Sequence, residues 1–251
     1  MNLILAAHGT RRPGGVAMIG DLAAQVSTLV DRTVQVAFVD VLGPTPSEVL
    51  SRADGRRAIV VPAFLSRGYH VRTDLPAHVA ASGHENVIVT PALGPSGEIA
   101  RIVFHQMMKS GWRHGDSVIL GAAGTSDYRA RADLHTTATF LSALTGSRVN
   151  LGFAATGAPH IDEAVAGARR DGAGRVVVAS YLLADGLFQQ RLRSFGADLV
   201  SQPLGAHPGL ARLIANRFRR AVPHTGQRPR LRSNSAGHKA LHARHADARS
   251  A

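Results

Sequence analysis

Residues 3–10 read Leu-Ile-Leu-Ala-Ala-His-Gly-Thr, a buried β-strand pattern that ends directly in His8. Residues 118–125 repeat it as Val-Ile-Leu-Gly-Ala-Ala-Gly-Thr, with Ala123 in the place of the histidine. Open α/β folds bind their ligands at the carboxyl ends of the strands. The repeat therefore predicts an internally duplicated α/β fold with an imidazole at the sheet edge of the first half alone.

Apolar runs alternate with helical periodicity through both halves of the chain. The pattern predicts strands at 3–7, 34–39, 58–62, 87–90, 116–120, 149–153, 176–181 and 199–202. It predicts helices at 16–30, 47–53, from 73, 97–109, 130–144, 160–170, 188–195 and 208–221. Such alternation is typical of βαβ units, which form parallel sheets with helices on both faces. We therefore expect an α/β protein with about four parallel strands in each half.

The duplication extends beyond the first strand. Val-Pro-Ala-Phe-Leu at 61–65 corresponds to Val-Ala-Ser-Tyr-Leu at 178–182, and Pro-Ala-Leu-Gly at 91–94 corresponds to Gln-Pro-Leu-Gly at 202–205. The matched segments keep their order, as expected for a repeated unit. We expect lobes at 1–112 and 113–222. A disordered basic tail is expected at 223–251, where Pro, Arg, Ser, Gly and His replace the apolar pattern.

The composition excludes several classes of protein. The chain has no cysteine, which excludes disulfides, thiolate metal sites and cysteine nucleophiles. We find no basic leader and no apolar run near the roughly 20 residues that span a bilayer, so we expect a cytoplasmic protein that does not bind membranes. The formal net charge is +12, and the tail contributes six Lys or Arg residues against Asp247. No aromatic interleaving or known binding motif accompanies this charge, so we expect no nucleic-acid partner.

Two histidines follow strands of the predicted first sheet. His8 follows the first strand, and His70 lies in the loop after the third. Because the carboxyl ends of parallel strands meet at one edge, both imidazoles can face one cleft. In the second half Ala123 and Phe188 take their places. The joint absence indicates that the two histidines form one functional unit.

Asp40 follows the second strand and places a carboxylate at the same edge. With His8 and His70 it could complete a two-histidine, one-carboxylate set for a first-row divalent metal. It could also accept a proton, or only cap a turn. Asp74 lies near a helix start, where capping is the expected role. Surface or structural roles are expected for the other histidines before the tail: His78, His84, His105, His114, His135, His160 and His207.

Four stretches together resemble one known family. They are Leu-Ala-Ala-His-Gly-Thr-Arg at 5–11, Val-Ala-Phe-Val-Asp at 36–40, Val-Val-Pro-Ala-Phe-Leu-Ser-Arg-Gly-Tyr-His-Val-Arg-Thr-Asp-Leu-Pro at 60–76 and Pro-Ala-Leu-Gly-Pro at 91–95. In this combination they resemble the sirohydrochlorin chelatases, small metal-inserting lyases of sirohaem and cobalamin biosynthesis. The resemblance covers residues 3–107 directly and 116–220 through the repeat, and it excludes the tail.

The resemblance implies two flavodoxin-like lobes that face each other across a cleft for a planar tetrapyrrole with many carboxylates. It implies His8, His70 and Asp40 as the catalytic and metal-binding residues, although the family usually has Glu at the third position. The metal, Fe²⁺ or Co²⁺ with Ni²⁺ as a third option, is then a substrate, and no tightly bound cofactor is required. The candidates to bind the substrate carboxylates are Arg11, Arg12, Arg67 and Arg72.

Two other functions stay open at this point. A non-catalytic carrier of metal or tetrapyrrole could use the same cleft. A histidine phosphatase also places His-Gly after its first strand, but such enzymes normally carry Arg directly before that histidine, where this chain has Ala7. Because the duplication supplies both lobes in one chain, a monomer is sufficient.

Overall fold

The computed structural model describes residues 1–222, which form two parallel sheets with helices on both faces of each. The first half comprises β1 (Asn2–Ala7), α1 (Pro13–Val30), β2 (Val34–Phe38), α2 (Pro46–Ser51), β3 (Ala58–Pro62), a π-helical turn (His70–Asp74) that runs into α3 (Leu75–Ala81), β4 (Val87–Val89) and α4 (Gly97–Ser110). The second half comprises β5 (Ser117–Ala122), α5 (Tyr128–Thr145), β6 (Val149–Phe153), α6 (Ile161–Arg170), β7 (Val176–Tyr181), α7 (Leu187–Ser194), β8 (Leu199–Val200) and α8 (Pro208–Ala221).

The two sheets have the same topology. Their strand orders are β2-β1-β3-β4 and β6-β5-β7-β8, and the neighbouring strands of both sheets are parallel. The strands β1 and β5, which carry the repeated sequence, therefore lie between two neighbours in each sheet. This confirms the predicted fold class and the internal duplication.

Several elements differ by a few residues from the sequence prediction, and three of these differences are informative. Helix α1 begins at Pro13 rather than at residue 16, because proline suits the first turn, where its missing N–H is not needed. The helix expected from residue 73 is preceded by a π-helical turn that begins at His70. Strand β8 ends at Val200 because the Ser201 carbonyl accepts a hydrogen bond from the Gln189 side chain instead.

The period-two pattern of β1 divides its side chains between two hydrophobic cores. Leu3 and Leu5 face the lobe interface, where they join a core that also contains Leu120 and Phe218 of the second half. Ile4 and Ala6 face the other side, against α2 and α3. Each fully buried leucine contributes about 1.5–3 kcal/mol to stability. A continuous core therefore holds the two lobes together.

The lobe boundary predicted at residues 112 and 113 falls between α4 and β5. The assignment of separate lobes at 1–112 and 113–222 stays a prediction, because the core is shared. The tail at 223–251, predicted to be disordered, lies outside the described residues. Within residues 1–222 no helix combines the length and apolarity needed to cross a bilayer.

Candidate active site

His8 lies at the carboxyl end of the central strand β1. Ala7 is buried, whereas His8 itself is exposed. The next residue, Gly9, has a φ of 90°, and a Cβ at this position would collide with the Asp40 carbonyl oxygen. Glycine therefore allows the chain to turn sharply beside the end of β2, and this turn leaves the imidazole at the sheet edge.

His70 lies at the start of the π-helical turn, and its ring meets that of His8. The two ring centroids are 4.3 Å apart at an interplanar angle of 84°. The Phe64 ring stacks on the other side of His70 at 6.1 Å. The structure thus brings together the two histidines that the sequence analysis paired. Their chemical role stays a prediction.

The hydrogen bonds of the two rings define which nitrogen carries the proton. Nδ1 of His8 lies 3.0 Å from the Gly9 carbonyl oxygen, and Nδ1 of His70 lies 2.5 Å from a carboxylate oxygen of Asp74. Because both partners are acceptors, Nδ1 donates in each ring. In the neutral form of each ring the lone pair is therefore on Nε2, where it can bind a metal ion or accept a proton.

Asp74 does not cap α3 as the sequence analysis expected. Its side chain accepts no hydrogen bond from the first turn and is paired with His70 instead. The physical reason is the π-helical turn, which puts residues 70 and 74 on one face. A carboxylate behind a histidine fixes the tautomer and orientation of the ring. The i,i+4 spacing of His70 and Asp74 was the signal in the sequence.

The histidine pair lines a cavity of about 410 Å³ between the two lobes. Ala123 and Phe188, the residues that replace the histidines in the repeat, line the same cavity from the second lobe. A second cavity of about 300 Å³ adjoins the first and shares Phe64 and His70 with it. Both volumes are within or near the range of small-molecule sites. One wall thus presents imidazoles, and the duplicated wall presents a methyl group and an aromatic ring.

The structure does not assemble His8, His70 and Asp40 into the three-residue metal set that was expected. Within residues 1–222 no group of three or more His, Asp or Glu side chains is arranged to hold a metal ion. The Asp40 carboxylate accepts a hydrogen bond of 2.7 Å from the Val41 N–H. This local bond turns it onto its own loop, although the Asp40 N–H donates to the His8 carbonyl at 3.2 Å. A role for Asp40 as a base stays a prediction.

Arg67 bonds the opposite lobe and does not face the cavity as a free cation. Its guanidinium and its backbone N–H both donate to the carboxylate of Asp133 on α5, at distances of 2.5–3.1 Å. The Asp133 side chain is 1% exposed, so the pairing satisfies a carboxylate that water does not reach. Arg67 thus forms a contact between the lobes, and because its side chain is still 59% exposed, substrate binding by Arg67 stays a prediction.

The other three predicted arginines differ in their surroundings. Arg72 donates to Asp127, the residue that caps α5, at 2.9 Å. Arg12 donates to the Gln190 side chain at 3.0 Å, whereas Arg11 is exposed on the turn after His8. Arg72 and Arg12 thus both bond the second lobe, and substrate binding by Arg11, Arg12 and Arg72 stays a prediction.

Tyr181 of the second lobe also holds the loop that carries His70. Its buried hydroxyl donates to the Leu65 carbonyl at 2.8 Å and accepts from Thr137 at 3.2 Å. Burial raises the pKa of Tyr181, so its hydroxyl stays protonated and able to donate. A Cβ on Gly94 would collide with the same Leu65 carbonyl and would approach the Tyr181 hydroxyl to 2.7 Å. Only glycine therefore fits where these three segments meet.

Comparison with known protein families gives a match in both halves of the chain. The model of the CbiX family matches residues 2–110 and again residues 117–221. A sirohydrochlorin cobaltochelatase of Methanopyrus kandleri is 32% identical over 78 residues, which are 30% of this chain and 54% of that relative. The matched stretch therefore spans about half the length of that relative.

Longer alignments cover both lobes. A sirohydrochlorin cobaltochelatase of Priestia megaterium is 25% identical over 236 residues, which are 86% of this chain and 74% of the relative. The solved structure of SirB from Bacillus subtilis with Fe³⁺ superposes with a TM-score of 0.74 at 20% identity, covering 87% of this chain and 95% of that one. At this identity the superposition shows a common fold.

Proposed function

Because the chain belongs to the CbiX family, we propose that it is a sirohydrochlorin chelatase, which inserts a divalent metal ion into sirohydrochlorin. The family match covers both lobes, and curated relatives that carry this activity in their names align with the chain. The metal and the tetrapyrrole are both substrates in this proposal, and the product carries the ion on its pyrrole nitrogens.

The observation that carries the proposal is the histidine pair in the cleft. His8 and His70 lie with ring centroids 4.3 Å apart in a cavity formed by both lobes. Each ring keeps its proton on Nδ1 and its lone pair on Nε2. The two side chains can therefore present a metal ion directly to a flat molecule that enters between the lobes.

Two imidazoles suit a metal ion that must be passed on. Imidazole nitrogen is a good ligand for first-row divalent ions such as Fe²⁺, Co²⁺ and Ni²⁺. A pair of histidines leaves most coordination positions to water and to the incoming pyrrole nitrogens, as in metal sites that keep open positions for substrate. We propose Fe²⁺ or Co²⁺ as the physiological ion, in sirohaem or cobalamin biosynthesis.

Insertion also has to remove two protons from the pyrrole nitrogens for each divalent ion that enters. When the ion moves to the macrocycle, the Nε2 atoms of His8 and His70 become free to accept those protons. The Asp74 carboxylate, 2.5 Å from Nδ1 of His70, stabilises the imidazolium that forms. The same two rings thus act first as ligands and then as bases.

The walls of the cleft suit a planar molecule with acidic substituents. Ala123 and Phe188 give the second-lobe side of the cleft an apolar surface against which a macrocycle can pack. We propose that Arg11 and Arg12, on the turn after His8, bind substrate carboxylates. Arg67 and Arg72 are already paired with Asp133 and Asp127 across the lobe interface.

The test is multiple turnover under anaerobic conditions. Sirohydrochlorin is mixed with Fe²⁺, Co²⁺ or Ni²⁺ in separate cuvettes, with the protein at a small fraction of the substrate concentration, and absorbance reports insertion. We expect acceleration over the spontaneous rate with at least one metal, and many turnovers per chain. Tight stoichiometric binding without acceleration would show a carrier and would contradict the proposal.

A further inference from the structure

A groove between α4 and α8 forms a second concave surface, separate from the histidine cleft. Its cavity has a volume of about 440 Å³ and shares no lining residue with the cavity around His8 and His70. One helix comes from each lobe, so the groove follows the line along which the lobes join. The titratable side chains that line it are Glu98, Arg101, His207, Arg212, Arg217 and Arg220.

The residues that the structure describes do not neutralise the charge of this α4–α8 groove. Its lining has four guanidinium groups against the single carboxylate of Glu98. Within residues 1–222 none of these four arginines forms an ion pair, in contrast to Arg67, Arg72 and Arg175 elsewhere. Several unpaired cations around one cavity raise the local concentration of an anion.

Arg217 provides the strongest single indication of a ligand. Its Nη2 donates to the Ala92 carbonyl at 3.3 Å, which ties the side chain to the first lobe. Its Nε is buried and has no hydrogen-bond partner among the described residues. Buried donors without a partner are rare in folded proteins, and an ordered water or a bound ion is one of the established explanations.

His207 shows that the positive field reaches the start of α8. Its Nδ1 accepts from the Gly209 N–H at 2.9 Å, so Nε2 carries the proton and donates to Nδ1 of His105 at 2.9 Å. Burial lowers the pKa of His207, and the neighbouring His105, Arg212 and Lys109 side chains lower it further. The histidine therefore stays neutral beside the arginines and can act as a polar wall of the groove.

We propose that the α4–α8 groove is a binding site for a small molecule that carries two or more phosphate or carboxylate groups. Guanidinium groups bind both kinds of oxyanion through paired N–H donors, and four of them can serve more than one such group. No aromatic ring other than the His207 imidazole lines the described groove, so a stacked base is not part of the site. The proposal does not depend on the function assigned to the cleft.

Calorimetric titration of the full chain at low ionic strength tests this site, with inorganic pyrophosphate and tricarballylate as separate probes. We expect saturable binding of one molecule per chain for at least one probe, and the preferred probe identifies phosphate or carboxylate as the source. Replacing the exposed Arg101 and Arg212 together by Gln should weaken that binding at least tenfold.

The matched control replaces Arg56 and Arg170 by Gln, because these exposed arginines lie outside the groove and their loss changes the net charge equally. We expect less than a twofold change in affinity for this double variant. The NMR signal of the Arg217 Nε–H, assigned with an Arg217→Lys variant, should shift on addition of the probe. Failure of both probes to bind, or equal losses in the two double variants, would overturn the site.

Discussion

Asp133 of the second lobe holds Arg67 of the first lobe three residues before the catalytic candidate His70. The carboxylate, 1% exposed, accepts the Arg67 backbone N–H at 2.8 Å and its guanidinium at 2.5 Å. Tyr181 bonds the carbonyl of Leu65 in the same loop. The lobe that lacks both histidines therefore holds in place the loop that carries His70.

Asp133→Asn should reduce both stability and turnover. The amide can still accept the backbone N–H of Arg67, but it loses the charge that binds the guanidinium. We expect a loss of about 1–3 kcal/mol in the free energy of unfolding, measured by denaturant titration. We also expect a lower kcat under conditions in which the variant is still folded. Asp185→Asn, which removes the exposed partner of Arg193, is the control and should change neither quantity. Equal behaviour of the two variants would contradict the positioning role.

Asp74→Ala should lower metal insertion about 10–100-fold, the range found when the carboxylate behind a metal-binding histidine is removed. The cause is the lost acceptor for Nδ1 of His70, which lies 2.5 Å from the carboxylate. Asp74→Asn keeps an acceptor oxygen and should lose less. Steady-state kcat and KM for the metal measure both variants, and wild-type kinetics in Asp74→Ala would show that the pairing is not used.

Gly94→Ala should destabilise the protein and impair turnover together. The added methyl group would collide with the Leu65 carbonyl and crowd the Tyr181 hydroxyl, so the loop before His70 has to move. Forcing an extra methyl into a packed site costs about 1–3 kcal/mol. Gly20→Ala is the control, because nothing lies within 4 Å of a Cβ there and alanine stabilises a helix by up to about 1 kcal/mol. Thermal unfolding of both variants decides this point.

Asp40→Asn tests whether the negative charge of Asp40 is needed or only its hydrogen bond with the Val41 N–H. The amide oxygen can still accept the Val41 N–H, so the melting temperature should stay the same. If Asp40 takes protons during insertion, turnover should fall severalfold, whereas Asp40→Glu should keep most of it. Full activity of the Asn variant would show that Asp40 only stabilises the loop after β2.

Local sequence patterns were sufficient to predict the fold and the proximity of His8 and His70. Residues 3–7 are a continuous apolar run, which is typical of a strand that is buried on both faces of a parallel sheet. The ends of parallel strands share an edge, so His8 and His70 could be paired without a structure. The alternation of strands with helices therefore predicts the topology of the sheets as well as the local conformation.

These patterns could not predict the contacts between the lobes. Asp133 lies 66 residues from Arg67, and Tyr181 lies 116 residues from Leu65. Such pairs depend on how α5 and β7 pack against the first lobe, which no periodicity encodes. The position of Arg67 and Arg72 beside the motifs suggested substrate binding, but it could not show that both also pair with carboxylates of the second lobe. The orientation of the Asp40 side chain, set by one bond to Val41, was equally invisible.

Single and double alanine variants test directly whether His8 and His70 act as one metal-transferring unit. Anaerobic insertion into sirohydrochlorin is measured with the metal that gives the highest wild-type rate, and circular dichroism confirms that each variant is folded. We expect His8→Ala and His70→Ala each to remove most turnover, and the double variant to lose little more, because the rings work together. Near-wild-type turnover in both single variants would contradict it.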